Sequence, residues 1–293
     1  MAEGFYQAGR ITRRRATKAE MEERAAFLID YAVAHGPITV RGLYYQAEVA
    51  ELPGIDKTEG GYAKVQSQVL KLRQEGRLPY STIADATRYM RKPRSFDGWR
   101  EALENTASLY RKSLWSDLDA QVEIWIEKSA LAGVIYPVTA EYDVPLMPTG
   151  GFTSETFACE AVEAMRGSGR TLVVHALYDF DRSGQDAAAS LEEKLLRFGC
   201  KYGVAVQFHQ LALSHDQVLQ RGLPTRAPKR TSVADRRWPY DIAAELDAIP
   251  PDDLRDLVRE AIERHLPGEE LEVLKRIEAE ERRTMMDFIG RAA

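Results

Sequence analysis

Two stretches of this chain repeat one design, and that repetition constrains the fold more than any other feature. "QVEIWIEKSALAGVIYP" at 121–137 alternates Val122, Ile124 and Ile126, stops at Glu127 and passes into helical spacing. "TLVVHALYDFDRSGQDAAASLEEKLLRFG" at 171–199 is apolar over 172–177, meets "DFD", and passes through Ser-Gly into a helix. A shorter strand, "DVPLMP" at 143–148, and the helix after "GGFTSE" lie between them, and the strand "YGVAVQFHQLAL" at 202–213 follows. Strands alternating with helices make a mixed α/β fold with a mostly parallel sheet and helices on both faces. Sites in such sheets form at the carboxyl ends of the strands, where Glu127, Asp179 and Asp181 all fall.

Asp179 and Asp181 stand two residues apart in extended chain, so they point the same way with Cα atoms roughly 7 Å apart. With Glu127 they offer three hard oxygen donors, and no Cys or His joins them. Such a set suits Mg²⁺, with Mn²⁺ as a second choice. A DxD at a strand end serves equally as a helix cap; the strand-terminal Glu127 is what favours a metal. Glu245 and Asp247 read as helix surface, or else as additions to the acidic site. "TGGFTS" at 149–154 enters a helix N-terminus and is a weaker candidate for holding a phosphate. No GxxxxGK[ST] occurs, which excludes a P-loop ATPase. Cys159 and Cys200 have no zinc spacing and read as buried free thiols, and the five histidines are scattered.

The front of the chain has helical period instead. Helices are expected over 18–36, over 39–51 behind the N-cap Thr39, and over 61–76. The Pro-punctuated, basic stretch 77–94 follows. Three helices and a basic extension are the order of a winged helix-turn-helix, with a plain three-helix bundle as the alternative. Residues 95–119 read as one connecting helix with Trp99, Leu103 and Leu109 as packing residues. Charge divides along the same line. Residues 1–113 hold 19 Lys and Arg against 14 Asp and Glu, a balance of +5, whereas the remainder holds 21 against 31, a balance of −10. A basic front half fits a grip on double-stranded DNA, with Lys64, Lys71, Arg73, Arg88, Arg91 and Lys92 as the phosphate contacts. Chance asymmetry is the plainer alternative.

"VRGLYYQAEV" at 40–49 carries adjacent tyrosines. Neighbours on a helix point about 100° apart. Val40, Leu43, Tyr44 and Ala47 share one stripe, so Tyr44 is expected in the core; Arg41, Tyr45 and Glu48 share another face, so Tyr45 is expected to point outward beside Arg41.

These motifs together resemble a known family. A strand ending in "EK" and another ending in "DxDxxG" look like a toprim domain, a Rossmann-like parallel sheet. A winged helix carrying "RxxYY" ahead of it resembles the A subunit of DNA topoisomerase VI and its meiotic double-strand-break relative, over roughly residues 20–215. Two features depart: Arg182 stands where the family usually has Pro, and the chain is shorter than the full subunit, closer to a compact prokaryotic or mobile-element branch.

The resemblance implies a winged-helix domain with its connecting helix over 1–113, a metal-binding toprim domain over 114–215, and a basic loop with a helical C-terminal extension over 216–293. It implies that Tyr45 attacks a DNA phosphodiester, that Arg41 stabilises the charge, and that Mg²⁺ is held by Glu127, Asp179 and Asp181. It further implies a homodimer in which Tyr45 of one protomer meets the metal of the other, and a separate ATPase subunit as partner. Two other readings stand beside it: a toprim nuclease using metal-bound water, and a non-catalytic winged-helix DNA binder. No run of about 18 apolar residues and no apolar leader occur, so a cytoplasmic, nucleoid-associated protein without membrane contact is expected. The basic, Pro-interrupted stretch 216–240 reads as a DNA-contacting loop or a solvated linker, ahead of helices over 241–266 and 268–290.

Overall fold

A capping box fixes the first helix. Thr17 accepts from the Glu20 N–H at 3.2 Å, Glu20 accepts from the Thr17 N–H at 2.8 Å, and α1 runs Lys18–His35. The computed structural model describes residues 16–84, 93–266 and 268–291. Helix α2 (Val40–Val49) starts at Thr39, whose hydroxyl accepts from Gly42 N–H at 2.8 Å. Helix α3 (Glu59–Gln74) starts behind Thr58, two residues earlier than expected. The three pack through Leu28, Ala32, Leu43, Ala47, Val65, Val69 and Leu72, all buried. After α3 come a 3-10 turn at Tyr80–Thr82 and a single parallel bridge from Ile83 to Ile38; the described part of 77–94 contains no hairpin, and 85–92 lie outside the described residues.

The connecting helix is shorter than expected: α4 spans Trp99–Leu109. Trp99, Leu103 and Leu109 are 60%, 40% and 52% exposed, which corrects their reading as packing residues. Ala107 is the buried residue of this helix. Polar bonds beyond its end, such as Arg282 to the Tyr110 carbonyl at 2.6 Å, fasten it to the C-terminal helix described below. Periodicity marks an apolar face; it does not say that anything in the same chain covers it.

Strand β1 (Ala120–Ile126) leads into α5 (Ser129–Glu141), β2 (Leu146–Pro148) into α6 (Glu155–Glu163), and β3 (Thr171–Leu177) into α7 (Arg182–Tyr202), with β4 (Val206–Ala212) last. The sheet order is β2-β1-β3-β4 and every pairing is parallel. A mixed α/β fold with a parallel sheet is therefore observed as expected. Alternate side chains enter two cores. Val122, Ile124, Ile126, Val173 and Leu177 join the core that also holds α1–α3 and α5. Trp125, Leu172, Val174 and Ala176 pack with α6 and α7. Ile124 and Ile126 are fully buried, worth roughly 1.5–3 kcal/mol each.

The stretch 216–240 is not simply a loop. It begins inside α8 (His215–Gln220), which has its own Ser214/Gln217 capping box. Farther on, Arg226 and Ala243 exchange backbone hydrogen bonds at 2.8 and 2.9 Å, and Ala244 exchanges two of 2.9 Å with Phe180. The chain is thus laid antiparallel beside the segment that leaves β3. Helix α9 (Pro251–Glu263) packs on α5, and α10 (Gly268–Arg291) on α4. Cys159 is half-buried and Cys200 exposed, so the pair is not the buried one expected. Among the described residues no helix is long and apolar enough to cross a membrane.

Candidate functional site

The parallel register places Ile126 opposite Leu177, so the chains leave β1 and β3 side by side. Glu127 N–H donates to the Leu177 carbonyl at 2.9 Å, and its carboxylate accepts from Asp179 N–H at 2.8 Å. The extended alternation continues through "DFD". Phe180 points into a cluster with Trp238 and Tyr240, at ring-centroid distances of 4.9 and 5.0 Å, which leaves Asp179 and Asp181 on the opposite side. Asp181 is the N-cap of α7, accepting from Gly184 N–H at 2.9 Å, and its other oxygen takes a guanidinium N–H of Arg226 at 2.8 Å. Gly184 is required here, because a Cβ would stand 2.4 Å from the Asp179 carbonyl oxygen. Capping and acidic-site geometry therefore coincide in one residue.

Glu245 and Asp247 belong to the same cluster, which corrects their reading as helix surface. The pairing of Ala243 and Ala244 brings them in, just before and within the 3-10 turn Leu246–Ala248. Leu246 N–H donates to Asp179 at 2.8 Å. The Lys128 ammonium sits at the centre, 3.0 Å from Asp179, 2.9 Å from Glu245 and 2.8 Å from Asp247. Burial opposes a charge on Lys128, but Asp247, Asp179 and Glu245 together outweigh it and its pKa is raised. Burial pushes Asp179 up to about 7, against the pull of Lys128, and the Glu127 charge adds to the rise. Glu127 is also raised, again chiefly by burial. Sequence reasoning passed over Lys128. Its signal was present in the "EK" that ends β1.

These groups wall a cavity of about 760 Å³. Glu127, Asp179, Asp181, Glu245 and Asp247 form its acidic part; Arg41, Arg73, Tyr62 and Lys229 also line it, as does Gly150 of the "TGGFTS" loop. Another cavity, of about 600 Å³, shares Arg41, Tyr62, Arg226, Lys229 and Glu245 with this one and adds Tyr44 and Tyr45. Among the described residues, no three Asp, Glu, His or Cys side chains are arranged as a ligand set for a metal ion. The predicted acids share one cavity, with their oxygens turned onto N–H donors and cations. Their hard-oxygen chemistry fits a divalent ion once such a cation yields its place.

Both tyrosines are buried, Tyr44 at 5% and Tyr45 at 8% exposure, which corrects the outward placement of Tyr45. The Tyr44 hydroxyl donates to the Asp56 carbonyl at 2.9 Å, a structural bond. Tyr45 lies on the face with Arg41 as the helical phase requires, but that face meets the Glu245 loop instead of solvent. Burial, then the Glu245 charge, push its phenol up to about 12, while Arg41 and Lys128 favour the phenolate. Arg41 reaches Glu245 at 3.4 Å and stacks over Tyr62 at 4.6 Å.

Of the expected DNA contacts, Arg73 lines the acidic cavity and stacks over Tyr80 at 4.3 Å. Lys64 is bonded to the Gly54 carbonyl at 2.6 Å and Lys71 pairs with Glu75 at 3.6 Å, both exposed and apart from the cavity lining. Arg88, Arg91 and Lys92 lie outside the described residues. No protein-family model matches the chain, and no curated protein matches it either.

Proposed function

We propose that this chain is a DNA-cleaving tyrosine transesterase of the topoisomerase VI A type, with α1–α3 acting as a winged helix and the sheet as a toprim domain. One observation carries the reading: Tyr45 and Arg41 line a cavity whose wall shares Arg41, Arg226 and Glu245 with the cavity of the strand-end acids. The substrate is double-stranded DNA, gripped by basic side chains of the front half.

In the proposed step the Tyr45 oxygen bonds to a backbone phosphorus and the bond to the 3′ oxygen breaks. With a phenol near 12, populating phenolate at pH 7 would cost roughly 7 kcal/mol, so the proton leaves as the new bond forms. Arg41 turns from Glu245 to the phosphate and stabilises the charge developing there. Glu127, Asp179 and Asp181 are the residues that would hold Mg²⁺ or Mn²⁺, which when bound supplies charge neutralisation at the phosphate oxygens. Because the phosphodiester is exchanged for a tyrosyl ester, resealing needs no ATP. Cutting both strands takes two such sites, hence a homodimer; a separate ATPase subunit would gate the break.

The depth of Tyr45 favours one competing reading, a metal-dependent nuclease in which Tyr45 only positions DNA. Supercoiled plasmid incubated with protein and Mg²⁺, quenched in detergent and run with and without protease, separates the two. The transesterase gives breaks whose ends enter the gel only after protease digestion. Ends that are free without digestion assign the nuclease, and intact plasmid rejects both.

A further inference from the structure

We infer that the stretch 226–237 is a preformed surface for the phosphate backbone of duplex DNA, set beside the acid cavity. The inference rests on the DNA substrate of the proposed reading but not on its chemistry. From 226 to 237 the chain carries five Lys and Arg (Arg226, Lys229, Arg230, Arg236, Arg237) against one acid, Asp235, within a half whose balance is −10. A solvated linker of that composition would have no fixed shape, whereas this one is pinned at three places. Arg226 holds Ala243 through both backbone bonds, at 2.8 and 2.9 Å. Trp238 is buried against Phe180, at a ring-centroid distance of 4.9 Å. Between them the Asp235 carboxylate, in a residue 8% exposed, accepts from Arg182 Nε at 2.8 Å, the Thr231 hydroxyl at 2.9 Å and Ser232 N–H at 2.8 Å.

The pinning sorts the cations. Arg226 turns inward to Asp181 at 2.8 Å, and Arg230 bonds to the Trp238 and Tyr240 carbonyls at 2.9 and 3.1 Å. Lys229, Arg236 and Arg237 are exposed, and among the described residues their side chains have no hydrogen bond, ion pair or ring contact. Like charges held on one ordered loop repel one another, and a polyanion laid along them relieves this. Lys229 also lines the acid cavity, the tyrosine cavity and a smaller one of about 270 Å³ against Arg182 and Ser183. The wall of the acid cavity holds five carboxylates and five cations. Arg41, Lys128 and Arg226 are taken by carboxylates and Arg73 by the Tyr80 ring, which leaves Lys229 to meet an incoming phosphate. A backbone whose phosphates pair with Lys229, Arg236 and Arg237 is thereby brought to the edge of both larger cavities.

The salt dependence of binding tests this. Affinity of the full chain for a fluorescent DNA duplex is measured from about 50 to about 200 mM salt in EDTA, so that no metal-dependent cleavage intervenes. Lys229→Ala should lower the slope of log affinity against log salt by about 0.9, and Lys229→Ala/Arg236→Ala/Arg237→Ala by about 2.7. Lys201→Ala, at the far end of α7, should leave the slope unchanged. Asp235→Ala separates an ordered surface from mere charge: it makes the chain more positive but releases the loop, and should weaken binding. Should that variant fail to fold, the slopes alone decide. The inference is overturned by a triple-variant slope that falls by less than about 0.9, or by a Lys201→Ala slope that falls as far as that of Lys229→Ala. Folded Asp235→Ala protein that binds as tightly as wild type, or tighter, overturns it as well. Wild-type protein that does not bind the duplex removes it together with the DNA reading. The expected slopes, with no covalent adduct from wild type in Mg²⁺, remove the transesterase and leave this surface standing.

Discussion

The Thr39 hydroxyl does two jobs: it accepts from Gly42 N–H at 2.8 Å to start α2, and it donates to the Asp247 carboxylate at 2.5 Å. The residues are 208 positions apart in sequence. The helix that carries both tyrosines is therefore set in register with the acidic loop by its own N-cap.

Replacing this hydroxyl separates the two jobs from ordinary packing. Thr39→Val keeps the shape but removes the cap and leaves one Asp247 oxygen without its hydroxyl donor while Lys128 keeps the other, at a cost of roughly 1–3 kcal/mol. Thr39→Ser keeps both bonds and should stay within about 1 kcal/mol of wild type. Urea unfolding measures both. Equal stability of the two variants would mean that the bond contributes nothing.

Lys128 is the cation among three carboxylates, with its side chain 24% exposed. Lys128→Met leaves Asp179, Glu245 and Asp247 facing one another without it, and should destabilise by roughly 3–5 kcal/mol in the absence of divalent ions. Mg²⁺ or Ca²⁺ should then raise the melting temperature of the variant more than that of wild type. A variant as stable as wild type in EDTA would show that the ammonium does not hold these acids together.

The tyrosines differ in what their hydroxyls do. Tyr44→Phe loses the bond to the Asp56 carbonyl and should cost about 1 kcal/mol while retaining cleavage. Tyr45→Phe keeps the buried ring and removes the hydroxyl beside Arg41, and should stay folded, at a cost of about 1 kcal/mol, while losing covalent adduct. Chemical denaturation and adduct yield, read on the same preparations, give the comparison. Loss of adduct in Tyr44→Phe alone would reverse the assignment.

A pH dependence belongs to a site away from the cavity. His175 Nε2 lies 3.2 Å from His265 Nε2, and its ring stacks on His209 at 5.3 Å. Burial first, then the charges of His265, His209 and Arg264, pull His175 down from 6.5 to about 4. A histidine with a lowered folded-state pKa contributes stability that is complete above about 6.5 and drains as pH falls toward 4. Between pH 7 and pH 5 this amounts to roughly 2 kcal/mol. His175→Leu should flatten that part of the stability–pH curve, measured by urea midpoints; an unchanged slope would place the acid sensitivity elsewhere.

Much of this was legible from local signals. The Thr39 cap, the alternation ending at Glu127 and the parallel sheet follow from nearest-neighbour chemistry, which a sequence displays directly. The phase of α2 was also legible, because Leu43, Tyr44 and Ala47 do form its core stripe. What covers the other stripe was not: the Glu245 loop lies more than two hundred residues away, and a helical wheel cannot tell solvent from a distant segment. The same limit hid the placement of Glu245 and Asp247. Their acidity was visible, but the bridge of Ala244 to Phe180 that carries them inward is a long-range pairing. Trp99, Leu103 and Leu109 fail in the opposite sense, an apolar face that no neighbour among the described residues fully covers.

The central claim is that Tyr45 becomes bonded to DNA, and peptide mapping tests it most directly. Wild-type protein incubated with duplex DNA and Mg²⁺, denatured, and digested with nuclease and trypsin yields the peptide Gly42–Lys57, which holds both tyrosines. The account predicts that this peptide carries a nucleotide phosphate, that fragmentation places it on Tyr45, and that Arg41→Ala lowers its yield by roughly 10²–10³-fold in rate. DNA cleaved in the same reaction with this peptide unmodified, or modified on Tyr44, would contradict it.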